Sequence, residues 1–207
     1  MTGLMNRLLR LSRCLGALAA GIVFLTGWAA PAGAAEPPEA LMLVAMPSLT
    51  DPLYGATVLV ARPIGGGQFL GFILNKPTTL SVAEAFPAHA PSQKVTAPIF
   101  VGGPERTNAM FALVNSENSP GQGSIRLAPD LFLVYSGTTL EQVIEHDPEN
   151  ARFLVGAVLW QPGELELEIR RGAWYVEEPE TSLLMRKETG NLWEELVERL
   201  ERPRKAI

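Results

Sequence analysis

"RFLVGAVLW", residues 152–160, decides how the rest of the chain is read. Its near-continuous apolar run predicts a strand in the middle of a sheet, covered on both faces. Outward from it, apolar and β-branched runs bounded by Gly and Pro predict strands at about 41–46, 56–61 and 68–74. "RPIGGGQ" (62–68) reads as the hairpin loop between the second and third, its glycines supplying the positive φ such turns require. No Gly-Lys-Ser/Thr follows those glycines, so this is not a phosphate loop. "APIFVGGP" and "AMFALVNS" read as two further strands, and "SIRLAPDLFLVYSG" as two more, broken at Ala128–Pro129.

Helices punctuate these runs. Ser81 and Glu84 in "TTLSVAEAF" have capping-box spacing, and Pro87 ends that short helix. Thr138 and Glu141 offer the same spacing in "TTLEQVIEHDPE". In "QPGELELEIRRGAW", Leu165, Leu167 and Ile169 alternate like a strand. The acids early, arginines late and Gly172 after them favour a short helix. "AWYVEE" returns to strand, and "GNLWEELVERLE" closes as an amphipathic helix burying Leu192, Trp193, Leu196 and Leu200. The fold class is α+β (α/β-like): a single domain with a mixed sheet and short helices packed around it.

The first 35 residues stand apart. Arg7, Arg10 and Arg13 precede an apolar stretch from Leu15 to Ala30, small residues follow at 32–35, and no acid occurs before Glu36. That order is the secretory signal-peptide pattern, with a retained anchor as the alternative. It predicts an exported, periplasmic domain over residues 36–207, or a cytoplasmic one if the segment is not a working signal. The chain has 17 basic and 22 acidic residues, and the leader removes three of the arginines. An acidic body without a basic run is a poor partner for nucleic acid, and no direct contact with it is expected. No membrane contact is expected beyond the N-terminal segment. Cys14, the single cysteine, falls within the leader, so the mature domain has no disulfide, thiol nucleophile or thiolate metal site.

Chemistry is sparse. Histidine is the commonest proton carrier in acyl transfer, and the chain has two, His89 and His146. His89 sits in a proline-flanked loop, and His146 in the last turn of a helix, where a cation suits the negative helix end. Ser136 in "VYSGTT" comes nearest to a nucleophile elbow but lacks the leading glycine. Metal motifs are missing, and no cofactor is implied. Glu164 and Glu168, four apart in "GELELE", read as an exposed helix face more readily than as an acid/base pair.

Taken in order, "LVAMPSLTDPLYGATVLV" (43–60), "GFILNKP" (71–77), "IFVGGP" (99–104), "RFLVGAVLW" (152–160), "PGELELEI" (162–169) and "GAWYV" (172–176) resemble the YqgE/AlgH family across nearly all of the mature chain. The resemblance implies a compact domain with a bifurcated mixed sheet surrounded by helices. It implies no established reaction, and the family's label of transcriptional regulator comes from an association with alginate production. The family usually has Asn-Arg-Pro where this chain has Asn75-Lys76-Pro77, and Gly-Gln-Leu-Glu where it has Gly163-Glu164-Leu165-Glu166. Lysine keeps the charge but loses the planar fork of arginine. The leader is a larger departure, since family members are typically cytoplasmic.

Asn75-Lys76-Pro77, Gly102-Gly103-Pro104 and Pro47-Ser48 all read as tight stops at strand ends. If they lie together they frame a crevice at the sheet edge, where ligands of α/β domains usually bind. The candidate contacts are Asn75, Lys76, Gly103, Pro104 and Trp160. The expected function is a non-catalytic exported domain that binds a partner protein or a small ligand. An indirect regulator of transcription is the alternative, and a weak hydrolase using Ser136 with His146 is a second.

Overall fold

The structure is a computed structural model that describes residues 40–202; the predicted leader lies outside them. Ten strands form one sheet: β1 (Leu41–Ala45), β2 (Val58–Gly65), β3 (Gln68–Ile73), β4 (Pro77–Ser81), β5 (Pro98–Val101), β6 (Glu105–Asn115), β7 (Ser124–Ala128), β8 (Leu131–Val134), β9 (Ala151–Trp160) and β10 (Trp174–Glu177). The helices are α1 (Val82–Ala85), α2 (Gly137–His146), α3 (Glu164–Arg170), α4 (Thr181–Leu184) and α5 (Leu192–Glu201).

β9 is the strand on which the sheet forks. One edge pairs along most of its length with β6. The other edge is shared: its first half takes β5 in parallel, at Leu154 and Val155, and its last residues take β3 antiparallel, from Val158 to Trp160. One branch continues β3-β2-β1-β10, and the other adds β4 outside β5. The central position agrees with the expectation for residues 152–160, and the mixed, bifurcated sheet with what the family resemblance implies.

Gly156 sits at the fork with φ 76°. Before it, Leu154 faces one core cluster and Phe153 the opposite one; after it, Ala157 shares the side of Leu154, while Val158 and Trp160 face away. Strict alternation would put residues 154 and 157 on opposite faces, so one extra residue has entered the strand as a bulge. Gly102 and Gly103 cross directly over it. A Cβ on Gly102 would lie 2.3 Å from the Gly156 carbonyl oxygen, and one on Gly103 would lie 2.2 Å from the carbonyl carbon of Ala157.

Alternation holds on the other strands and divides the core. Met42, Val44, Val58 and Val60 point to one side, covered by Leu184, Leu192 and Leu196 of α4 and α5. Leu43, Ala45, Leu59 and Ala61 point to the other, where Leu165 of α3 packs. Along β6 and β8, Ala112, Val114 and Val134 are covered by Val82 of α1 and by Leu140, Val143 and Ile144 of α2.

Several local expectations hold. The Ser81–Glu84 capping box is complete in both directions, residues 164–170 are a helix, and Gly66 and Gly67 carry φ of 59° and 77° in the β2–β3 turn. Two do not. The strand ahead of Asn75-Lys76-Pro77 does stop, at Ile73, but Pro77 is not outside the ladders: it opens β4, paired opposite Phe100, as proline can at the start of an edge strand. Thr138 is no cap either, because α2 begins at Gly137, with Ser136, two residues before Thr138, as its N-cap. The neighbouring buried hydroxyl of Thr139 instead donates to the Gln122 carbonyl at 2.5 Å.

Candidate functional site

The segment 74–77 carries the chain from one branch of the fork to the other. Its polar side chains bond to the protein's own backbone. The Asn75 Oδ1 accepts from Val58 N and its Nδ2 donates to the Ala56 carbonyl, both at 2.9 Å, so the amide prolongs the β2–β3 ladder by one rung. It also anchors Ala56, a non-glycine residue with φ 53°. The Lys76 Nζ donates to the Leu53 carbonyl at 2.7 Å and lies 3.4 Å from that of Pro52. A single ammonium meets two carbonyls without needing a planar fork.

The predicted cluster is only partly assembled. Lys76 and Gly102 are neighbours, since Val101 N donates to the Lys76 carbonyl at 2.9 Å and Ile73 N to the Gly102 carbonyl at 2.8 Å. Gly103 is buried at the crossing, and Pro104 beside it is exposed. Trp160 lies elsewhere, at the far end of β9 opposite Phe69. It is 4% exposed and offers no open contact surface, because Gly71 packs under its ring and its indole N–H donates to Glu168 at 3.0 Å.

Glu168 is the residue that an exposed-face reading of "GELELE" misplaces. The same Oε2 accepts the Trp160 indole and, at 2.8 Å, that of Trp174. Glu164 is exposed and accepts from Gln161 N at 2.7 Å. Tyr54 stacks edge-on against Trp174 at 6.4 Å. Burial, and then the charges of Glu168, Asp51 and Glu105, push its phenol above the usual tyrosine value.

Ser136 and His146 stand at opposite ends of the ten-residue α2, roughly 15 Å apart by helix rise, too far for direct proton transfer. His89 Nδ1 lies 2.6 Å from the Ser92 hydroxyl. Ser92 is fully buried, which keeps that hydroxyl from any substrate. Among the described residues no three His, Cys, Asp or Glu side chains gather as a metal site.

A cavity of about 590 Å³ opens beside the first half of β9. Its walls are residues 95–98, Phe100, 148–149, 151–153, Met185 and 187–190, with Pro77 at one side. Arg152 lines it although only 5% exposed. Its two terminal nitrogens donate to the Leu74 and Arg186 carbonyls, and the guanidinium carbon stands 4.4 Å over the Phe100 ring. No carboxylate of the described residues forms an ion pair with it. Burial pulls the guanidinium down to about 10. At the rim, Lys187 and Glu149 pair at 3.2 Å, both highly exposed. Sequence reading passes over Arg152 because a charge at the start of an apolar strand looks like its solvent-facing end; its partners lie 78 and 34 residues away.

A forked α+β domain with a side cavity built on a buried cation is the class that these features define. Residues 42–205 match the model of the AlgH-like family, and the chain belongs to that family. It is 30% identical over 167 residues to a UPF0301 protein of Serratia proteamaculans, covering 76% of this chain and 89% of that one. Its fold is similar to the solution structure of the AlgH protein from Pseudomonas aeruginosa, with TM-score 0.65, 26% identity and coverage of 78% and 87% of the two chains. A Corynebacterium diphtheriae protein, at TM-score 0.63 and 22% identity over 81% and 90% of the chains, shares the fold.

Proposed function

We propose that this chain is a non-catalytic, exported binding domain whose occupant is a small molecule seated in the cavity beside β9. The observation that carries the reading is the cavity itself. At about 590 Å³ it falls within the ordinary range for small-molecule sites, and it sets apolar side chains such as Val95, Phe100 and Met185 beside polar ones, Arg152 and Lys187 among them. The absence of catalysis is supported by the separation of Ser136 from His146 along α2 and by the buried hydroxyl of Ser92. Export is supported by the order of basic, apolar and small residues in 1–35.

A fragment screen followed by 1H–15N spectra of the protein tests the reading. Binders move the amides of residues 95–97, 151–153 and 187–190; binders that cluster elsewhere, or none at all, contradict it. The mass of the mature N-terminus in fractionated cells tests export separately, and an unprocessed cytoplasmic chain contradicts that part.

A further inference from the structure

We infer that the occupant of the cavity is a small organic anion, a carboxylate or phosphate on an apolar body, bound to the guanidinium of Arg152. The inference rests on the preceding reading and adds the ligand's chemistry to it.

Charge is the first argument. Arg152 is a cation removed from water, and a buried charge is costly unless an opposite charge meets it. Two backbone carbonyls bond to it, but carbonyl dipoles offset only part of a full charge. The acids of the cavity wall do not supply the remainder: Glu149 is paired with Lys187 at the rim, and Glu188 is exposed.

Donor geometry is the second. A guanidinium has five N–H donors in a rigid fork. Single bonds to the Leu74 and Arg186 carbonyls leave three without a protein acceptor among the described residues. A planar fork fits the two oxygens of a carboxylate or phosphate. Phe100 covers one face of the guanidinium and holds its plane, so an anion meets the edge rather than the face.

The walls define the rest of the ligand. Val95, Pro98, Phe100, Phe153 and Met185 suit an apolar or aromatic body. The exposed Lys187–Glu149 pair spans the mouth, where an arriving anion competes with Glu149 for the ammonium.

The test uses the full chain with three probes of similar shape: benzoate, phenyl phosphate and neutral benzamide. Benzoate or phenyl phosphate is expected to move the amides of residues 151–153 and 187–190, with affinity at least tenfold above benzamide. The better of the two identifies the anionic group. Arg152→Met is expected to abolish that preference while keeping a dispersed spectrum. Arg152→Lys, which keeps the charge without the fork, is expected to lower it and decides the matter if the methionine variant does not fold. Benzamide binding as well as both anions overturns the anionic ligand and leaves the cavity reading standing. A preference unchanged in the lysine variant overturns the assignment to Arg152. If none of the probes moves these amides, the inference falls, and the fragment screen decides the cavity reading separately.

Discussion

Gly103 and Gly156 meet backbone to backbone at the fork of the sheet: a Cβ on Gly156 would lie 2.2 Å from the Gly103 carbonyl oxygen. The obstacles are main-chain atoms, which cannot rotate aside. Gly156 also holds a φ of 76°, which costs an L side chain further. Gly156→Ala and Gly103→Ala are each expected to destabilise the fold by roughly 3 kcal/mol or more, seen as a lower urea midpoint. Gly137→Ala is the control, since open space surrounds that position.

Asn75 is expected to act as a structural rung. Asn75→Ala removes both amide bonds to the start of β2, a loss of about 2 kcal/mol, while Asn75→Asp keeps the acceptor and loses the donor to Ala56. Urea unfolding is expected to rank wild type above both variants, since the Asp carboxylate turns an acceptor oxygen toward the Ala56 carbonyl. Equal stability of all three contradicts the assignment.

Glu168 ties α3 to β9 and β10 through two indoles. Glu168→Ala leaves both N–H groups without their acceptor, at roughly 1–3 kcal/mol each, whereas the carbonyl of Glu168→Gln can still receive them. The glutamine variant also removes one of the charges that hold the Tyr54 phenol up. Its titration then moves down toward the ordinary 10 without reaching it, because burial is the larger cause. A phenol whose folded value is raised adds stability that is fully present below its unfolded value and lost as pH climbs through the folded one. The variant therefore loses less stability in alkali than the wild type does, over a narrower pH window, and phenolate absorbance checks the shift.

Arg152→Met sets two terms against each other. The fall of the guanidinium from its ordinary value to about 10 corresponds to a cost of roughly 3 kcal/mol for the buried charge. The sign is that of a depressed value: the group's stabilising contribution is complete only above its ordinary, strongly alkaline value and is lost as pH falls through about 10. The whole cost is therefore present at neutral pH. Against its relief stand two carbonyls deprived of their donor, about 1–3 kcal/mol each. The terms are of similar size, so the variant is expected to fold, with a melting temperature within about 10 °C of wild type. Added benzoate is expected to raise the melting temperature of the wild type and not of the variant.

Apolar runs and punctuation made much of the fold legible. The runs at 41–46 and 56–61, the Ser81–Glu84 box and the glycines of the β2–β3 turn are each written within a few residues, where local pattern speaks. The bulge at Gly156 is silent in the sequence because β9 is apolar on both faces, so a slip of one residue exposes nothing polar. Pro77 reads as a terminator since proline both ends central strands and begins edge strands. The candidate site was least legible. Asn75 and Lys76 look like an exposed polar edge until the loop 47–57 folds against them. Arg152 acquires its meaning from Leu74, Phe100 and Arg186, which only tertiary structure brings to it.

The central claim, that the Arg152 guanidinium is the anchor of a ligand site, is tested most directly by the side-chain Nε–H resonance of Arg152 itself, assigned by its disappearance in Arg152→Lys. Titration of the wild type with benzoate is predicted to shift this resonance saturably, while benzamide leaves it in place. A resonance that stays fixed as benzoate saturates the protein contradicts the claim.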